Sequence, residues 1–157
     1  MKRFLIALTA VILALLVAVL ASVPISYLFA PKDSIIHSLP DYIDKEFYSS
    51  GGFQDYTDYG KYTYAISEME LIHNSYFLRV AEDDIPEIFS YIENFEGWVE
   101  ITEFPAEKYD FDTSLITEGD YFYILSQYDE ADKKFWNYDL YYFDLDAQIL
   151  YYFHNNI

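Results

Sequence analysis

Residues 4–30 contain no charged side chain, and this one feature dictates how the remainder of the chain must be arranged. From Phe4 to Val23 the run is 20 residues long, almost all Leu, Ile, Val, Ala and Phe. At a rise of about 1.5 Å per residue, a helix of that length spans about 30 Å, the thickness of a bilayer's hydrocarbon core. A helix also satisfies its backbone polar groups internally, as lipid requires. Lys2 and Arg3 precede the run and make residues 1–3 a cytoplasmic stub, so the C-terminal side faces out. A cleaved secretory signal is the alternative: a basic start, an apolar core of about 7–15 residues and a small-residue cleavage site. Val19-Leu20-Ala21 before Ser22 supplies such a site, but the apolar stretch continues through Ile25, Tyr27, Leu28 and Phe29. The length favours a single-pass anchor over residues 4–30 in the cell membrane, with secretion after cleavage as the alternative. With no cysteine to acylate, a lipoprotein anchor is excluded.

The charge is as one-sided as the hydrophobicity. All 27 acidic residues lie beyond residue 30, with only seven of the nine basic ones, an excess of 20 negative charges over residues 31–157. Such a domain repels nucleic-acid phosphates and anionic headgroups, so nucleic acid is not an expected partner. The absence of cysteine excludes disulfides, thiol catalysis, iron–sulfur clusters and cysteine zinc sites. An external domain of this kind is held by its core alone, and its length falls in the range of about 100–150 residues common for single domains. Seventeen Tyr, 11 Phe and both Trp follow residue 31, an aromatic load that disordered chains lack.

Residues 31–60 read as a linker and domain entry, punctuated by Pro31, Pro40, Ser49-Ser50-Gly51-Gly52 and Gly60, with a helical turn over Asp41 to Tyr48. Tyr62, Tyr64 and Ile66 alternate with Lys61, Thr63 and Ala65 as in a strand. Ser67 and Glu70 have capping-box spacing, which predicts a short helix to about His73. A second strand is expected over Tyr76 to Val80. The clearest helix is expected from Ile85 to Glu96: Pro86 suits the first turn, Ile85, Ile88, Phe89, Ile92 and Phe95 share one face, and Gly97 supplies a stop. Trp98, Val99 and Ile101 suggest a strand after it, and Gln127 to Lys134 a charged loop. Asp120 to Ser126, Tyr138 to Phe143 and Ile149 to Phe153 read as strands, the last two joined by the Asp144-Leu145-Asp146-Ala147 turn.

The fold class expected is α+β: an antiparallel sheet of four to six strands on one main helix, preceded by a single N-terminal transmembrane helix or signal segment. The external domain proper would occupy residues 61–157.

Three groups of residues bear on chemistry. Asp110-Phe111-Asp112-Thr113-Ser114 opens like an EF-hand loop and Glu118 stands at its ninth position, which makes Asp110, Asp112 and Glu118 the candidate ligands of a weak calcium site. The pattern then fails, because Leu115 replaces the turn glycine and Tyr121 the closing glutamate. Asp144 and Asp146 at a turn, and Glu82, Asp83 and Asp84 at a helix start, are explained by local backbone bonding and the helix dipole. The histidines, His37, His73 and His154, have no metal-ligand spacing and read as surface or capping residues; no nucleophile elbow or phosphate loop is present.

The aromatic surplus is the stronger pointer. Each of the last three strands carries aromatics on both faces, and one helix covers only one face of a sheet. The other face is then expected to present tyrosines at the surface, with Tyr121, Tyr123, Tyr141 and Tyr151 as the contact, since Tyr joins an apolar ring to a polar tip. Tyr76-Phe77 with Val80, the Asp84-to-Trp98 unit, Gly119-Asp120-Tyr121-Phe122-Tyr123 and Leu150-Tyr151-Tyr152-Phe153-His154 resemble the layout of small exported bacterial proteins, a likeness that brings no reaction with it. The expected function is a non-enzymatic, cofactor-free, membrane-anchored binding module for a protein or glycan partner. The alternatives are a structural or accessory membrane protein without ligand, or a weak divalent-cation-binding domain.

Overall fold

The computed structural model describes residues 33–51, 56–102, 104–129 and 134–156; the apolar run over 4–30 lies outside them. No helix among the described residues is long and apolar enough to cross a membrane.

The alternating aromatic strands pair into a six-stranded antiparallel sheet in the order β1-β2-β6-β5-β4-β3. Its strands are β1 (Asp44–Gly51), β2 (Tyr56–Thr63), β3 (Leu78–Arg79), β4 (Tyr121–Asp129), β5 (Lys134–Asp144) and β6 (Ile149–Asn156). Between β2 and β3 lies the short helix α1 (Glu68–Ile72), and between β3 and β4 the main helix α2 (Ile85–Ile101). The class is α+β with one main helix, as the periodicity predicts.

Several boundaries differ from expectation for identifiable reasons. Residues 44–51 form an edge strand and not a helical turn within a linker; being exposed along most of its length, β1 needs no apolar alternation. Gly97 does not stop α2, which continues to Ile101 because Val99 is another buried anchor; Thr102 caps the end through its N–H to Trp98 O at 2.8 Å. The expected strand over Trp98 to Ile101 is therefore helix. The Tyr76–Val80 strand shrinks to two residues, and β4 and β5 extend into the segment expected as a loop. The Ser67–Glu70 capping box forms, with Ser67 N donating to Glu70 Oε2 at 2.7 Å. In the β5–β6 turn, Asp144 Oδ1 accepts from Ala147 N at 2.8 Å. Gln148 adopts φ 58°, held there by bonds of its side chain to Ile66 N and Leu145 O.

Each sheet face has its own core. Against α2 pack Tyr59, Phe122, Leu140, Tyr142, Tyr151 and Phe153, meeting Ile88, Ile92 and Phe95 of the helix. The opposite face is also covered at one end: Leu71 of α1, Phe77, and Ile35, Ile36 and Leu39 of the entry segment pack on Tyr62, Tyr64, Tyr121, Phe143 and Leu150. This overturns the expectation of a second face left open throughout. Segments that read as linker carry enough apolar residues to cover part of it.

Candidate functional site

Period-two alternation puts Leu150, Tyr152 and His154 of β6 on the second face, and sheet register extends that pattern sideways. One row runs Phe47, Gly60, Tyr152, Tyr141, Tyr123 through successive Cα partners; the next runs Ser49, Asp58, His154, Asp139, Leu125. These rows lie beyond the Tyr62, Leu150, Phe143 and Tyr121 row, and Tyr152 and Tyr141 of the first of them are buried in the same core as Leu71 and the entry segment.

The aromatic row is a chain of ring contacts. Tyr141 lies 5.0 Å from Tyr152 and 6.1 Å from Tyr123, and Tyr123 meets Tyr76 edge-on at 5.5 Å. Gly60 has no side chain to contribute, and neighbouring rings close over it: a Cβ there would meet Tyr62 at 2.9 Å and Phe47 at 3.3 Å. Phe47 stacks on Tyr152 with centroids 6.4 Å apart and keeps an exposed edge.

The second row is polar and half-buried. Asp139 Oδ1 accepts from Tyr152 Oη at 2.7 Å and lies 2.8 Å from His154 Nδ1. Tyr56 packs its ring 5.0 Å from the imidazole. Burial pushes the Asp58 carboxyl above the ordinary range, against a lowering Ser49 hydrogen bond and the charge of His154. Burial, reinforced by Asp139, raises the Tyr152 phenol, so it remains a proton donor at neutral pH. Asp58 Oδ1 and His154 Nε2 are buried with no hydrogen-bond partner among the described residues. Leu125, 56% exposed, ends the row. An aromatic floor, two carboxylates and apolar edges suit reversible contact with a cationic, partly apolar group.

The four tyrosines singled out in the sequence do not converge. Tyr121 is 2% exposed beneath α1, its hydroxyl 3.1 Å from Glu68 Oε1. Tyr141 is 4% exposed, and Tyr123 beside it is half-buried. Tyr151 faces α2 from the other side of the sheet, its ring 4.8 Å from Phe111, and burial pushes its phenol up to about 12. The three acidic residues of the calcium-like loop are likewise separated in role. Asp110 accepts from Lys61 Nζ at 2.7 Å and Tyr59 Oη at 2.9 Å. Asp112 caps the Thr113–Leu115 turn by accepting from Ser114 N, which lowers its carboxyl. Glu118 borders a shallow concavity with Arg79, Val80, Ala81 and Gly119. No group of three or more His, Asp or Glu able to hold a metal occurs among the described residues, so these three are not assembled as ligands.

Asp58, Asp139 and His154 escape a motif search because no spacing links them. The available signal is alternation: His154 shares a face with Tyr152, and Asp139 with Tyr141. No family model, curated protein or solved structure matches the chain.

Proposed function

We propose that residues 31–157 are a non-enzymatic binding module outside the cell, anchored by residues 4–30, whose second sheet face takes a basic protein segment at its exposed edges, Phe47 and Leu125. What carries this reading is the placement of exposed Phe47 and Leu125 beside the half-buried carboxylates Asp58 and Asp139. Apolar edges supply contact area, and carboxylates select the sign of the partner. The excess of 20 negative charges over residues 31–157 steers the same kind of partner from a distance. A neutral glycan would use the aromatic edges but gain nothing from the charge, so the protein segment is preferred.

The test uses the full-length protein in neutral-lipid nanodiscs, titrated with a peptide rich in Lys, Arg and Tyr and, separately, with a neutral polysaccharide. The expected result is peptide binding that weakens about tenfold in the Phe47→Ser/Leu125→Ser double variant. It should also weaken as salt rises from about 50 mM to about 500 mM. Absence of peptide binding, or a double variant that binds equally well, defeats the proposal. Polysaccharide binding with the same dependence on Phe47 and Leu125 would reassign the face to a surface polymer.

A further inference from the structure

Beneath α2, one row of the sheet is polar where the next, Tyr59, Phe153, Leu140 and Ile124, is apolar. Thr57, Asn155, Tyr138 and Ser126 are successive Cα partners across β2, β6, β5 and β4. Alternation places Asn155 on the same face as Tyr151 and Phe153, toward the helix. Two members of the row reach α2 or its end: Tyr138 Oη donates to Tyr91 O at 2.9 Å, and Thr57 Oγ1 lies 3.3 Å from Thr102 Oγ1. Asn155, between Thr57 and Tyr138, therefore faces the stretch of helix between Tyr91 and Thr102.

Asn155 is 1% exposed, yet neither Nδ2 nor Oδ1 has a hydrogen-bond partner among the described residues. Ser126 Oγ, the next row member beyond Tyr138, is buried and unpartnered too, as is Asn94 Oδ1, one turn along α2 from Tyr91. Native interiors rarely strand even one such group, because an unmade bond carries the full desolvation penalty. In Asn155 an amide donor and a carbonyl acceptor are stranded on one side chain beneath α2. Together they match a small molecule that both donates and accepts, and an internal water typically makes about three such bonds.

We infer that the seam between α2 and the Thr57–Asn155–Tyr138–Ser126 row is a site for internal water, with the Asn155 amide as its central ligand. Asn155 then acts as a linker through solvent and not as a misplaced polar residue in an apolar core. The consequence is specific: an apolar side chain at this position removes the water's main anchor.

The test is NMR on the full-length, ¹⁵N-labelled protein in detergent micelles, with Asn155→Leu as control and urea unfolding of both. The expected result is a direct rotating-frame cross-peak between water and a slowly exchanging Asn155 side-chain amide. That peak should vanish in Asn155→Leu, whose urea midpoint falls. A protected Asn155 amide with no water cross-peak overturns the inference, as does a variant whose midpoint rises, since a dry seam gains from losing its stranded amide. The wild-type spectrum decides the matter alone should Asn155→Leu fail to fold.

Discussion

His154 and Asp139 are Cα partners on β6 and β5, and the imidazole Nδ1 lies 2.8 Å from the carboxylate. On its other side the Cα partner of His154 is Asp58 on β2, whose carboxyl is pushed up chiefly by burial. The row is thus asymmetric, with one carboxylate bonded to the imidazole and the other left with a raised protonation range.

That asymmetry has a pH signature. Because the folded value of Asp58 is raised, its contribution to stability is fully present below the ordinary carboxylate pKa of about 4 and is lost as pH rises through the raised value. Asp58→Asn mimics the protonated form at every pH. The variant should unfold at higher urea than wild type at pH 7, and the two should converge as pH falls toward about 4. Equal midpoints at pH 7, or a gap that does not close in acid, would show that burial does not penalise this carboxylate.

Asp110 behaves in the opposite sense. Burial pushes its carboxyl up, but the bonds from Lys61 and Tyr59 outweigh that and hold it below the ordinary range. Its contribution is present above the ordinary pKa and lost as pH falls through the lowered value. The Lys61 pair is partly solvated and worth little by itself, whereas the Tyr59 ring is fully buried and its hydroxyl relies on Asp110. Asp110→Ala should cost about 1 kcal/mol at pH 7 and progressively less as pH falls below the ordinary carboxylate range. In a Tyr59→Phe background the same substitution should cost clearly less, as a double-mutant cycle measures. An undiminished cost there would locate the effect outside this hydrogen bond.

The covering of the second face makes its own prediction. Leu71 is fully buried against the sheet, whereas Ile72, its neighbour on α1, is 54% exposed. Leu71→Ala should cost about 3 kcal/mol and Ile72→Ala less than about 0.5 kcal/mol in urea unfolding. Similar costs for both would mean that α1 does not cover the face as described.

Legibility in the sequence followed the range of the forces involved. The Ser67–Glu70 box, the Ile88, Ile92, Phe95 stripe and the Asp144–Ala147 turn are local patterns, and each appears where local chemistry puts it. β1 was not legible, since an edge strand with three charged residues at its start and exposed along most of its length shows no apolar alternation. The partial cover was not legible either, because Ile35, Ile36 and Leu39 become a lid only through packing on residues distant in the chain. The same holds for Asp58, His154 and Asp139, which sheet register alone brings together.

Gly97 is where local and tertiary preferences conflict most directly. Glycine in a helix interior loses more backbone entropy on folding than alanine and commonly marks a helix end. Yet α2 passes through it, because stopping there would forfeit the burial of Val99 and the Thr102 cap. A Cβ built at Gly97 meets nothing within 4 Å, so the position offers free space and a helical backbone. Gly97→Ala should therefore stabilise the protein by about 1 kcal/mol, with an unchanged folded-state circular dichroism spectrum. If residue 97 instead ended the helix in a left-handed conformation, the added methyl would be strained and the variant would unfold at lower urea. The sign of the change thus decides between a helix that stops at Gly97 and one that runs on to Ile101.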